Sequence, residues 1–159
     1  MPNSLLLQKS LYRPVPTRLT LDVHQVSLRS KLGDGLPTVL AAPAQLQQVL
    51  LNLIMNAIEA MGPVTTQERV LIVKSEIGEP GNVQITVEDT GSGIDPSLLG
   101  RIFDAFFTTK ALGMGMGLSI CRSIVESHGG HLSVSPRRPN GSSFCVILPT
   151  TPPNPVYGV

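Results

Sequence analysis

The chain has 159 residues, a length that suits one domain; 42% are hydrophobic but only 14% charged, against a usual charged share of about 25%. A net charge of +1 provides no basic field for nucleic acid or for an anionic membrane surface. No apolar run approaches the roughly 18 residues of a membrane helix, MPNSLLLQKS lacks the form of a signal peptide, and Cys121 and Cys145 have no zinc-ligand spacing, so the expectation is a cytoplasmic, reduced protein without direct membrane contact.

Ser4 to Arg13 reads as the end of a helix stopped by Pro14 and Pro16. Arg18 to Val23 alternates Leu19, Leu21 and Val23 with polar residues, as a strand does. A turn at Gly33-Asp34-Gly35 leads to a short apolar stretch, Thr38 to Ala41. The strongest helix signal runs from Ala44 to Met61, where Leu46, Val49, Leu50, Leu53, Ile54, Ala57, Ile58 and Met61 form one stripe and Gly62-Pro63 stops it. Val70 to Val73 and Val83 to Val87 read as strands. The glycine-punctuated stretch 90–117 fits no single element. Leu118 to His128 is a second amphipathic helix, and Leu132 to Val134 with Ser143 to Leu148 flank a Pro-Asn-Gly turn as a terminal hairpin. Interleaved helices and hairpins predict an α/β two-layer sandwich, a mixed β-sheet covered on one face by helices. The chain has no GxxxxGK[ST], so a P-loop is excluded, and the glycines at 113, 115 and 117 lack the dinucleotide GxGxxG spacing.

Four patches carry chemistry. Asn52 and Asn56 lie four apart on one helical face, with Gln45, Gln48 and Glu59 nearby. Two mid-helix asparagines are poorer helix formers than Lys or Glu, and an amide oxygen suits a Mg²⁺ ion already balanced by phosphates; the plainer reading is a solvated polar face. In VEDTGSGID, Asp89 shares the phase of Val83, Ile85 and Val87, so its carboxylate falls on the buried side, where it needs a donor such as an adenine amino group. Gly91 and Gly93 allow close backbone approach, although an ordinary Asp-Thr-Gly turn would use the same letters. In RIFDAFFTTK, Phe103, Phe106 and Phe107 read as core anchors, and Thr108, Thr109 and Lys110 offer hydroxyls and a point charge to phosphate. In GMGMGLSI, glycine N–H groups run into a helix start, an anion site by geometry or else a flexible linker.

Taken together and in order, these patches resemble the ATP-binding fold shared by gyrase, Hsp90, MutL and histidine kinases, and specifically the catalytic domain of sensor histidine kinases. NLIMNAIEA is similar to their asparagine box, DTGSG to the first glycine box, FDAFFTTK to the phenylalanine box and GMGMGLSI to the second glycine box. The resemblance implies ATP and Mg²⁺ as cofactors. Asn56 takes the part of the Mg²⁺ ligand, with Asn52 beside the phosphates, and Lys110 a phosphate contact; these three form the catalytic set. Asp89 reads adenine, and Gly91, Gly93, Ile94, Phe103, Thr108, Thr109, Gly113, Gly115, Gly117 and Leu118 complete the nucleotide site. Residues 108–115 form a short lid hinged at Gly115 and Gly117. The hydrolysing branches of this superfamily carry glutamate where this chain has Asn52, and an amide takes up no proton near neutral pH. Transfer to another acceptor follows, with a histidine-bearing dimerisation domain as direct partner and a response regulator as indirect one. The resemblance spans about 36–149, with 1–35 an N-terminal segment of the same domain and 150–159 a Pro-rich tail.

The chain departs from that pattern at Ala42, where related kinases commonly have a capping aspartate, and at Met114, where Ser or Thr is frequent. His24, His128 and His131 sit on or beside the catalytic-domain elements with no neighbouring acid on a helical hairpin, and read as structural or surface residues. Two rivals stand beside the histidine kinase reading: a nucleotide-gated interaction module without phosphotransfer, and a serine/threonine kinase of the anti-sigma type.

Overall fold

The computed structural model describes residues 25–79, 81–110 and 113–150, together with the backbone of Leu19–Leu21. The expected helix at 4–13 and all but Thr150 of the Pro-rich tail lie outside the described residues. Ala42 leads into α1 (Pro43–Met61), and Pro43 occupies the first turn, where its missing N–H has no intrahelical partner to lose. Leu46, Val49, Leu53, Ala57, Ile58 and Met61 recur at three- and four-residue intervals and are all buried.

The strands are β1 (Leu19–Leu21), β2 (Val26–Leu32), β3 (Arg69–Ile77), β4 (Asn82–Asp89), β5 (His131–Pro136) and β6 (Ser142–Pro149), with α2 (Gly117–Ser127) ahead of β5. They form one sheet in the order β1-β2-β3-β4-β6-β5. Among the described strands only β2 and β3 run parallel, and α1 is the crossover that such a pair requires. The mixed sheet and its helical layer are the two-layer α/β sandwich expected from the sequence. Both helices lie on the face that carries Leu71, Val83, Ile85, Val87, Phe144 and Val146, and there their stripes close the core. Strand β2 pairs with β3 over its whole length, from Val26↔Arg69 to Leu32↔Ser75, so residues ahead of 36 contribute to the same sheet.

Two local findings refine the sequence picture. Of the three clustered phenylalanines, Phe103 and Phe107 pack on the core, but Phe106 is 74% exposed and is not an anchor. Its backbone explains why: φ is +65°, a left-handed conformation rare for a bulky side chain, and it turns the ring outward. At the start of α1, no side chain caps the helix at Ala42. Instead the Ala42 N–H donates to His128 Nε2 at 3.0 Å, and His128 Nδ1 lies 2.7 Å from the Ile124 carbonyl. The His128 ring thus bridges the end of α2 to the entry of α1, with Nε2 as the acceptor.

Among the described residues, no helix is long and apolar enough to cross a membrane. Leu53, 0% exposed, sits where α1 meets the sheet. Leu53→Ala should cost about 2–5 kcal/mol, read as a lower urea midpoint at unchanged slope.

Candidate functional site

Strand β4 alternates as its sequence dictates, and Asp89 ends the inward row at 2% exposure. Its Oδ1 accepts the Gly91 N–H at 2.8 Å, and the Ser142 N–H is a second backbone donor. Burial pushes the Asp89 carboxyl above its ordinary range; the two N–H groups and the charge of Arg137 pull the other way. The turn after Asp89 divides its labour. Thr90 Oγ1 accepts from the Val70 N–H and donates to the Glu68 carbonyl, both at 2.9 Å, and so pins the strand end. Gly91 lies so close to α1 that a Cβ would come within 2.7 Å of the Ala60 carbonyl oxygen. Gly141 is tighter still, since its Cβ would fall 1.9 Å from the Asp89 carbonyl oxygen.

Asp89 opens onto a cavity of about 610 Å³ between α1, the 90–115 loops and the start of α2. Gly93, Ile94, Gly117 and Leu118 line it, as do Thr108, Thr109, Gly113 and Gly115 on the loop side. At the α1 wall, Asn56 and Lys110 meet: Lys110 Nζ donates to Asn56 Oδ1 at 3.1 Å and also pairs with the Glu59 carboxylate. The cavity therefore presents a buried carboxylate, an amide oxygen, an ammonium group and glycine N–H groups at a helix start. That donor set can take a flat hydrogen-bonding base together with a polyanion.

Three residues of the sequence-based set lie elsewhere. Gly91 stands behind Asp89 and permits its hydrogen bond. Phe103 packs toward the core with the Arg122 guanidinium 5.7 Å from its ring centre. Asn52 faces α2: its Nδ2 donates to Cys121 Sγ at 3.6 Å, off the cavity lining. Burial pushes the Cys121 thiol up, so it stays protonated and lies 3.8 Å from the Val49 carbonyl as a donor.

Other cavity residues escaped the sequence reading. Ser142 and Phe144 come from β6, far along the chain, and Ala60, Ile102 and Phe107 give the apolar walls. The Asn-Gly turn at 140–141 was legible as a hairpin signal, but nothing local tells that its glycine abuts Asp89.

A glycine-lined cavity with a buried carboxylate at one end and an ammonium at the other, on a mixed α/β sandwich, suits a nucleotide-binding domain. Residues 41–152 match the family described as "Histidine kinase-, DNA gyrase B-, and HSP90-like ATPase", and the chain belongs to it. Its curated relatives include the sensor protein TdiS of Thauera aromatica, 42% identical over 134 residues that cover 82% of this chain and 24% of TdiS. The sensor protein FixL of Bradyrhizobium diazoefficiens is 43% identical over 82% of this chain and 26% of its own length. The chain thus spans about a quarter of these relatives. Among solved structures, the nucleotide-free catalytic domain of histidine kinase ThkA superposes with a TM-score of 0.71 at 32% identity, covering 93% of this chain and 88% of that one. Full-length ShkA in complex with AMPPNP gives a TM-score of 0.73 at 27% identity, over 93% of this chain and 30% of its own. The domain is the ATP-binding type found in sensor histidine kinases.

A raised Asp89 pKa has a pH signature. The ionised form is penalised in the folded state, so its cost is present at neutral pH and vanishes below the ordinary carboxylate value of about 3.9. Relative to Asp89→Asn, the wild-type domain should gain stability as pH falls from 7 toward about 4.5. Urea unfolding of both proteins across that range checks it; a pH-independent difference would mean that burial does not govern this carboxyl.

Proposed function

We propose that the domain binds Mg·ATP, adenine toward Asp89 and phosphates toward Asn56 and Lys110, and donates the γ-phosphoryl group to a histidine on a separate dimerisation domain of its parent protein. The observation that carries this reading is the placing of Asp89 and the Asn56–Lys110 pair on one cavity. A donor and acceptor set of this kind orders both ends of the nucleotide. The parent would then pass the phosphoryl group to a response regulator, and a solved complex of ThkA, 30% identical at a TM-score of 0.67, includes its response regulator protein TrrA. The setting is cytoplasmic, since ATP is supplied there.

Mg²⁺ fits the residues present. Asn56 Oδ1 already accepts from a cation at the cavity wall. Among the described residues, no group of three or more His, Cys, Asp or Glu could hold a metal by itself, so the ion would arrive with the triphosphate and be shared with it. When bound, it neutralises the phosphates as charge redistributes during transfer. Asp89 orders the base through its buried acceptor oxygens, the glycine N–H groups at 113–117 cradle anionic oxygens, and Lys110 supplies a mobile positive charge. Asn52 lies off the cavity with its amide on Cys121 and takes up no proton, so it activates no water, in keeping with transfer over hydrolysis. We infer further that residues 26–35 belong to this catalytic domain, through the pairing of β2 with β3.

Asp89→Asn should weaken ATP binding by about 1.5–3 kcal/mol in calorimetry, the scale of a hydrogen bond involving a charged group. Mixed with a histidine-bearing helical hairpin from a relative such as FixL and γ-labelled ATP, the domain should place acid-labile phosphate on the hairpin. Alone it should turn ATP over slowly. Brisk hydrolysis without an acceptor, or label stable to acid, would overturn the reading.

A further inference from the structure

Asn56 and Glu59 are three residues apart on α1, so their side chains leave the same helical face one turn from the next. Both line the cavity. Both also accept from one and the same group: Lys110 Nζ lies 3.1 Å from Asn56 Oδ1 and is ion-paired with Glu59 Oε2. Two hard oxygens from a rigid helix thus converge on a single position that already holds a cation. That cation belongs to the 106–115 loop, whereas the two oxygens belong to a helix anchored through Leu53, Ala57 and Met61. The fixed partner is the pair of oxygens; the exchangeable one is the ammonium.

We propose that Asn56 and Glu59 together form a cation seat, that Lys110 is its resting occupant, and that Glu59 is the second protein oxygen facing the divalent cation that enters with ATP. The inference rests on the Mg·ATP reading above and goes beyond it by assigning Glu59 and an exchange of cations. An amide plus one carboxylate, completed by phosphate oxygens and water, is the kind of set Mg²⁺ takes in phosphoryl-transfer sites. The charges also agree. A lone Glu59 beside a triphosphate would be repelled, and so would an unpaired Lys110 beside Mg²⁺. Exchange removes both conflicts, because the metal replaces the ammonium between the two oxygens and the freed ammonium meets the phosphates. Nucleotide without metal offers Lys110 an anion but leaves nothing for the seat. Metal with nucleotide satisfies both, so the loop responds to the pair and not to the base.

The test is calorimetry of AMPPNP binding to the whole chain, wild type and Glu59→Gln, in EDTA and across a Mg²⁺ series. In EDTA the two proteins should bind alike or the variant slightly more tightly, since the base end is untouched. The Mg²⁺ concentration at half effect should rise about tenfold or more in Glu59→Gln, the range seen when a carboxylate supporting a metal site is lost. A Mg²⁺ midpoint equal to that of the wild type would overturn the seat, and tighter binding at an unmoved midpoint would reduce Glu59 to a partner of Lys110. Failure of the wild type to bind AMPPNP in either condition would instead strike the Mg·ATP reading itself. Trypsin cleavage after Lys110 supplies a readout independent of nucleotide: Glu59→Gln should be cut several-fold faster than wild type when nucleotide-free, and equal rates would show that Glu59 does not hold Lys110.

Discussion

The burial of one carboxylate, Asp89, sets the conditions that the rest of the site meets. A charge at 2% exposure in a row of Val83, Ile85 and Val87 is unfavourable unless donors reach it. Two backbone N–H groups do so, from Gly91 and Ser142. Each demands an approach that a side chain would block: Gly91 against the end of α1, Gly141 against Asp89 itself. Strand β4, helix α1 and the start of β6 therefore converge on a single point. The cavity sits there because three elements are drawn together around a group that is left with acceptor capacity to spare. Its apolar walls deepen the desolvation that raises the carboxyl's pKa, and the same walls favour a flat aromatic ligand.

Local periodicity made much of this legible. The period of two in VQITVED placed Asp89 inward, and the period of 3.6 in α1 gave every buried residue of that helix. What sequence could not tell was which neighbour claims a side chain. Asn52 and Asn56 do share a helical face, yet α2 lies over the first, where Cys121 takes its amide, and the cavity lies over the second. Four residues of spacing fix a direction; they do not fix the tertiary partner at each turn. Phe106 shows the same limit from another side. Its apolar chemistry argued for the core, but its φ is positive where its N–H donates to the Gly115 carbonyl at 3.0 Å, and the ring lies outward. Ser142 and Gly141 were invisible as site residues because their role depends on a strand pairing, Glu88↔Ser143, that spans fifty-five positions of chain.

The far side of β4 solves a related electrostatic problem. Glu88 points away from the helices and is only 15% exposed, adjacent in sequence to a second, buried carboxylate. Lys74 pairs with it at 2.6 Å and Arg137 at 3.4 Å. Arg137 also lowers the Asp89 pKa, so one guanidinium serves both carboxylates at the end of β4. Partly buried pairs of this kind are screened less than surface ones, and loss of either cation would leave two neighbouring negative charges undercompensated. The site's charge balance thus reaches through the sheet to the face opposite the helices.

The loop beyond the cavity divides into a part held by backbone and a part held by charge. At its base, Phe106 and Gly115 are joined by a hydrogen bond, and a Cβ on Gly115 would lie within 2.6 Å of the Phe106 and Phe107 backbone. That clasp holds Phe106 in a conformation that costs on the order of 1–3 kcal/mol, which only a well-determined contact sustains. Within the loop the tie is different in kind: Lys110 reaches α1 through its ammonium alone, from a half-exposed position. Beyond Phe107, which packs on the core, the described loop residues are small or polar save Met114, and that side chain is 76% exposed. We infer that a base entering the cavity makes no differential contact with such a tie, whereas a polyanion and its counter-ion would compete for both of its ends. On that reading the charged end of the ligand, and not the base, would govern the response around Lys110, while the clasp at Phe106–Gly115 holds the base of the loop.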